Sequence, residues 1–409
     1  MRVLFAVSSW PGHYYPMVPL GWALQAAGHD VRVACTPGQH AAVSAAGLTP
    51  VPVLDGMDMV FLTRLRYLWD AQAGHWPYPW QPLHPVTGQE VAGLRDFDFD
   101  SYVAAHTATT FGAMIRSFDA AVRLARDWRP DLVVHDPLAV EGALAAAAVK
   151  VPAVTHLWGP VGTHEPAATG LQIVPEYPAG TFARWKVGSL GPDAVTHVVD
   201  VCPPALAPPT TATRLPVRFV PYNGPGAGPP GDDRPAGRPR VCVVWGTSTT
   251  AMSGPRSFAL PDIVTALAGL DVEVVVTATA EDLDRLGPLP RGVRGVERCP
   301  LRLVLPGCSA VVHHGGAGCT MTAVDAGVPQ LGVSFAIEQA LNAERVAAAG
   351  AGAHLPGHLA GVDTVRAAVT DLLDKPAYAA AARALREDAR ARPTPADLVS
   401  TLAGLAGRP

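Results

Sequence analysis

Lysine is nearly missing from this 409-residue sequence. Lys150, Lys186 and Lys375 are the only ones, and arginine supplies the rest of the positive charge. The formal net charge is −4, so the chain exerts no broad pull on nucleic acid or on an anionic membrane. Any phosphate it binds must be held by a local site. The six cysteines (Cys35, Cys202, Cys242, Cys299, Cys308 and Cys319) are scattered, with no CxxC and no Cys/His cluster. This spacing speaks against a zinc site or any other metal site and for reduced thiols in a cytoplasmic protein. Also missing is a run of ~20 uninterrupted apolar residues, the length that spans a bilayer. The opening apolar run is short and meets Pro11 and His13 at once, unlike a signal peptide. Finally, Ser8–His13 is not the GxGxxG turn of a dinucleotide-dependent dehydrogenase.

What is present is a composition 49% hydrophobic and 16% charged, enough to bury large cores. At ~100–200 residues per domain the length predicts two or three domains. Val3–Val7 is an apolar run bounded by Ser8, Ser9, Pro11 and Gly12, the pattern of a buried parallel strand. Helical spacing follows over Pro16–Ala27 and stops at Gly28. Asp30–Cys35 is the next strand, completing a β-α-β unit. Residues from about Met57 to Phe99 carry many aromatics among Pro, His and Gly, with weak periodicity. Order returns with a helix near Tyr102–Asp127, a strand over Pro130–Asp136, a helix over Glu141–Val149 and a strand over Val151–Thr155. Residues 203–239 have a Pro- and Gly-rich linker composition. The β-α rhythm restarts at Arg240–Trp245 and continues through strands at Val272–Thr277, Gly295–Glu297, Ala310–His313 and Gln330–Val333. The expected fold class is α/β, with two Rossmann-like βαβ domains. The expected boundaries are 1–220, a linker at 221–239, 240–390, and a C-terminal helix within 391–409 that crosses back onto the first half.

Open parallel sheets bind ligands at the carboxyl ends of their strands. Three polar clusters fall there: Gly12-His13, His135-Asp136, and the run from His313 to Thr320. The last follows a strand and opens a helix at Thr322–Ala326. Small residues let backbone N–H groups approach a ligand, and a helix start adds about half a positive charge. Together they can hold a diphosphate without lysine. A tight turn with no ligand is the plainer alternative.

These residues carry a family resemblance. HHGGAG, then Ala323-Val324-Asp325-Ala326-Gly327-Val328-Pro329-Gln330, then Glu338-Gln339, Asn342-Ala343 and Arg345-Val346, resemble the donor-site signature of GT-B glycosyltransferases. The closest resemblance is to the actinomycete natural-product enzymes that use nucleotide-activated deoxysugars. MRVLFAVSSWPGHYYPMVPLGWALQAAGHDVRV, PDLVVHDP and RFVPYNGPG are similar to further signatures of that family, so the likeness spans nearly the whole chain. It implies two domains facing each other across a cleft, the first binding an acceptor and the second a dTDP-sugar or UDP-sugar co-substrate, with no separate cofactor. On the donor side it implies His314, Gly316, Ala317 and Gly318 at the phosphates. It places Thr247 and Ser248 at the diphosphate or sugar, Pro300 and Leu301 at the nucleobase, and Glu338 and Gln339 at sugar hydroxyls. Two positions depart from the pattern. Cys319 stands where Thr or Ser is usual, which costs a phosphate contact unless Thr320 supplies it. Glu338 stands where Asp is more common.

Sugar transfer requires that the acceptor lose a proton and that the leaving diphosphate be stabilised. His13, just after the first strand, has the chemistry of a general base. Asp136 can hold the far imidazole nitrogen, cap the next helix, or itself be the base for a carbon acceptor. The resemblance implies a single displacement with inversion. Trp10, Phe61, Tyr67, Trp69, Trp76 and Trp80 are the candidate walls of a hydrophobic acceptor pocket such as a polyketide needs; core filling of a helical insertion is the alternative. Two other functions compete: a nucleotide-sugar epimerase of the same fold, and a degenerate accessory protein of glycosylation. Partners expected are the sugar nucleotide and a hydrophobic small molecule, with no nucleic acid and no integral membrane association. A homodimer or a helper protein stays open.

Overall fold

The strands that carry the architecture are short, nearly continuous apolar runs, the signature of parallel strands covered on both faces. In the computed structural model, which describes residues 1–56, 58–94, 97–106, 112–165, 180–188, 190–228, 237–246 and 249–407, they form two all-parallel sheets. The first contains β1 (Arg2–Ala6), β2 (Asp30–Ala34), β3 (Thr49–Val51), β4 (Leu132–His135), β5 (Ala153–His156), β6 (His197–Asp200) and β7 (Thr213–Pro216), in the order β3-β2-β1-β4-β5-β6-β7. The second contains β8 (Arg240–Val244), β9 (Glu273–Ala278), β10 (Val293–Glu297), β11 (Ala310–His313), β12 (Gln330–Ser334) and β13 (Gly352–Pro356), in the order β10-β9-β8-β11-β12-β13.

Each strand feeds two cores because successive side chains point to opposite faces. Val3 and Phe5 of β1 join one cluster with Met17, Leu20 and Leu24, while Leu4 joins another with Met114, Phe118 and Leu144. Val241 and Val243 of β8 meet Leu260 and Ile263, while Cys242 and Val244 meet Leu301 and Leu305. In both sheets the strand order reverses beside the first strand of the half, at the β1/β4 and β8/β11 pairs. A crevice opens at such a switch point. The loops after these four strands carry His13, Asp136, Gly246 and His314, and the two halves face each other across the cleft so formed.

The chain end binds the halves together. Leu385 and Ala389 of the helix Pro376–Arg390 share a cluster with Met321 and Val324 of the second half. The helix Pro395–Leu405 starts with a Thr394/Asp397 capping box and packs Leu398, Val399 and Leu402 into the first half's core, against the helix Val18–Ala26.

The structure adds elements that the sequence reading did not expect, and three stretches bear on the cleft or the linker. Met59–Gln72 is a 14-residue helix, N-capped by Asp58, whose side chain accepts from the Phe61 N–H. Helix is described over Phe99–His106 and Gly112–Trp128, where one was expected near Tyr102–Asp127; residues 107–111 lie outside the described ones. Within the Pro-rich stretch 203–239, Thr213–Pro216 pairs with β6 as the sheet's edge strand.

Candidate functional site

His13 sits on the single turn Pro11–Tyr14 that leaves β1. Its ring lines the cleft, its Nδ1 lies 2.8 Å from Ser8 Oγ, and the Trp158 indole stacks on it with centroids 4.1 Å apart and planes 15° from parallel. Burial pushes its imidazole down to about 3, so it is neutral at working pH and able to accept a proton. Asp136 is fully buried. Its Oδ2 accepts from the Ser8 N–H at 2.6 Å, and its Oδ1 accepts from the N–H groups of Leu138 and Ala139 at 2.8 and 3.1 Å. Burial raises its carboxyl to about 6 against the lowering effect of these bonds and of the Ser8 hydroxyl. The sequence expectation has Asp136 holding His13 directly. In the structure Ser8 stands between them, because the loop after β1 passes over the carboxylate and presents both its N–H and its hydroxyl. His135 turns away, with Nδ1 on the Asp136 carbonyl and Nε2 near Thr155.

Opposite, the helix Ala317–Ala326 begins at Gly316 without a side-chain cap. Its first N–H groups and its dipole face the cleft, which Gly316, Ala317, Gly318 and Cys319 line. The loop before it is built around His314. A Cβ at either Gly246 or Gly316 would lie 2.4 Å from the His314 ring, so these two glycines grip the imidazole. Gly315 has φ +84°, and a Cβ there would meet the Gln339 carbonyl oxygen at 2.4 Å, so only glycine fits. His313 accepts from the Gly315 N–H at 3.0 Å through Nδ1 and lies 2.9 Å from Gln330 Oε1 through Nε2, bracing the turn from below. Among the described residues His314 Nδ1 is buried without a partner, and burial lowers the ring to about 3. An orphaned neutral imidazole nitrogen at an uncapped helix start is a polar group that awaits a ligand.

Cys319 Sγ is 3.9 Å from His314 Nε2, and burial pushes the thiol up to about 12, so it stays protonated. Thr320 cannot replace it: its side chain is fully buried and its hydroxyl donates to the Gly316 carbonyl at 3.1 Å. Leu301 lines the cleft beside Arg298 and Cys299, whereas Pro300 packs against the linker at Gly226. Glu338 lines it too, with Oε1 accepting from Trp158 Nε1 at 3.2 Å and its carboxyl raised to about 7 by burial. Gln339 reaches the cleft wall, but its amide holds the preceding turn, accepting from the Phe335 N–H at 2.9 Å. Thr247 and Ser248 lie outside the described residues.

The expected acceptor wall is only partly assembled. Trp10 and Tyr67 line the cleft, a cavity of about 570 Å³. Phe61, Trp69, Trp76 and Trp80 do not. Helical twist sends Phe61 into a satellite cluster with Leu62 and Leu65 and leaves Trp69 46% exposed beneath the Arg66 guanidinium. Trp76 donates to the Trp80 carbonyl, and Trp80 packs on Phe335 and His358 of the second half, forming a bridge between halves. Met59, Leu62, Leu138 and Met252 supply apolar wall instead. Sequence reasoning missed Ser8, Trp158 and Arg298, isolated residues after strands with no periodicity to betray them, and Asp70, on the unexpected helix Met59–Gln72. Among the described residues no group of His, Cys, Asp and Glu could hold a metal, and no helix is long and apolar enough to cross a membrane.

Comparison with known proteins agrees with this geometry. Residues 22–246 match the N-terminal domain, and residues 262–405 the C-terminal domain, of the erythromycin biosynthesis protein CIII-like family. The chain is 36% identical to aklavinone 7-beta-L-rhodosaminyltransferase of Streptomyces galilaeus, over 98% of this chain and 95% of that one. It is 34% identical to 10-deoxymethynolide desosaminyltransferase of Streptomyces venezuelae, over 100% and 98%. Among solved structures, glycosyltransferase VinC in complex with dTDP superposes with a TM-score of 0.77 at 31% identity, each chain covered in full. An α/β fold of two facing Rossmann-like sheets, an uncapped glycine-flanked helix start and full-length kinship lead to one conclusion: the chain belongs to the GT-B deoxysugar glycosyltransferase family of actinomycete natural-product biosynthesis.

Proposed function

We propose that this protein transfers a deoxysugar from a dTDP-activated donor to a hydrophobic natural-product acceptor, with inversion and without a metal. The observation that carries this reading is the placement of a neutral imidazole, His13, across one cavity from an open helix start. In the tautomer with a proton on Nδ1, His13 donates to Ser8 Oγ, whose own proton goes to Asp136, and Nε2 is left as the base. The acceptor oxygen then bonds to the anomeric carbon as its proton passes to Nε2. The bond from that carbon to the diphosphate breaks, and the leaving oxygens take up the charge against the N–H groups at Gly316–Gly318. The relatives named above for rhodosaminyl and desosaminyl transfer, and the dTDP complex of VinC, support a dTDP-deoxysugar as donor. The cavity's apolar walls at Trp10, Met59 and Leu62 support a hydrophobic acceptor.

The test joins two measurements. A thermal-shift titration should show dTDP raising the melting temperature more than UDP; at ~100 times its dissociation constant a ligand stabilises by ~2.7 kcal/mol. His13→Ala should bind dTDP as the parent does but turn over ~10²–10⁴-fold more slowly, the range for loss of a general base. Transfer at the parent rate by His13→Ala would sink the mechanism, and no shift with either nucleotide would move the accessory-protein reading ahead.

A further inference from the structure

The loop that follows β5 belongs to the first half by sequence but is fastened to the second. A Cβ at Gly159 would lie 2.7 Å from Ala317 Cβ, so the loop rests on the start of the helix Ala317–Ala326. Arg345 bonds the Pro160 carbonyl and pairs with Glu165, both on this loop. Glu165 is 4% exposed, so the pair is a buried tie between halves. Arg345 and Glu338 lie on one helix, Ile337–Ala348. Trp158, 2% exposed, projects from the fastened loop. One face of its indole covers the His13 ring, and its N–H donates to Glu338.

We propose that Trp158 is a positioning residue: its indole holds the His13 ring in plane with the Ser8 bond and links that ring to Glu338, so that a sugar arriving at Glu338 sets the base. This rests on His13 being the base and Glu338 facing the donor sugar. Stacking fixes the plane of the imidazole, the Ser8 bond fixes its rotation within that plane, and together they leave one direction for Nε2. A sugar hydroxyl that bonds the Glu338 carboxylate competes for the oxygen the indole holds and shifts the ring stacked beneath. The titratable carboxyls around His13 are Asp136 behind Ser8, Glu141 beyond Asp136, and Glu338 across the indole.

The experiment follows the His13 imidazole by NMR in protein labelled with 13C at histidine, the signal being assigned by its loss in His13→Ala. Three proteins are compared: parent, Trp158→Phe and Trp158→Ala. In the parent, dTDP-glucose should move the His13 signal and dTDP alone should not. Trp158→Phe keeps a stacking ring but loses the donor to Glu338. It should therefore lose the sugar-dependent movement, keep the depressed His13 titration and bind dTDP as before, with kcat down ~10-fold, the scale of one hydrogen bond to a charged group. Trp158→Ala should in addition let His13 titrate near the ordinary ~6.5. If Trp158→Phe shows the parent's sugar-dependent movement, or if the parent shows none, the proposal is overturned. Those results alongside an inactive His13→Ala that binds dTDP would remove Trp158 alone and leave the proposed reaction standing.

Discussion

Glu141 offers a sharp test of the electrostatics behind the site. It lies in the first turn of the helix Val140–Val149, is 3% exposed, and its Oε2 has no hydrogen-bond partner among the described residues. Burial, with a further contribution from the Asp136 charge, raises its carboxyl from 4.5 to about 8. The native protein therefore holds the proton over a range in which the unfolded chain has released it. Stability falls as pH rises wherever the unfolded state binds fewer protons. The fall begins near the unfolded value and ends near 8, at a slope of ~1.4 kcal/mol per pH unit for one fully differing group. Between pH 5 and 7 this is ~2.7 kcal/mol. Glu141→Gln keeps the shape of the neutral acid and removes the ionisation. Urea unfolding of parent and variant at pH 5, 6, 7 and 8 should show the variant gaining steadily on the parent by ~1–3 kcal/mol over that range. Asp136 shifts in the same sense, and the buried histidines shift oppositely, but both proteins share them and the difference cancels them. Parallel stability curves would refute the reasoning and mean that Glu141 is ionised in the native state. A neutral Glu141 at pH 7 leaves Asp136 as the sole negative charge behind Ser8, the arrangement that lets neighbouring carboxyls play different parts.

Other perturbations bear on the donor side. Cys319→Thr places a hydroxyl where a protonated thiol now lines the helix start, and dTDP should bind ~2–10-fold more tightly by calorimetry, the range of one net hydrogen bond. Thr320→Val removes a buried hydroxyl that donates to the Gly316 carbonyl, so dTDP affinity should stay within ~2-fold of the parent. Gly316→Ala drives a methyl into the His314 ring and should weaken dTDP by ~10-fold or more while the fold survives, as overpacking costs ~1–3 kcal/mol; undiminished affinity would mean that His314 plays no part in the donor site.

The legible and illegible parts of the sequence divide along physical lines. Central parallel strands such as Val3–Phe5 and Val241–Val244 are continuous apolar runs because helices cover both faces, and composition alone exposes them. Strands β3, β7 and β13 escaped notice. Each contains a proline and polar residues, which an edge tolerates because one side of it has no strand to bond. The short interior strand β6 had no such excuse beyond its four-residue length. The helix Met59–Gln72 was hidden because its two faces both meet apolar surroundings, the Phe61–Leu65 cluster on one side and the cleft at Tyr67 on the other. The glycine run before Ala317 announced a close backbone approach. What it approaches first, the His314 ring held by Gly246 and Gly316, comes from two strands 70 residues apart in the chain, a relation no local pattern carries.

The chain passes between its halves twice, once after β7 and once after the helix Pro376–Arg390. The two passages touch: the Arg218 N–H donates to the Pro393 carbonyl at 2.7 Å, and Arg392 reaches the Asp200 carbonyl at 2.9 Å. Two passages joined at one point make a spine. Sliding one half along the other must break those bonds, whereas swinging about them need not. A widening of the cleft that leaves these bonds intact is a rotation, which parts the His13 and Gly316 sides and returns them to one alignment on closing. Cutting the chain after Arg390 would leave a single passage and release that alignment, even though no residue lining the cleft is removed.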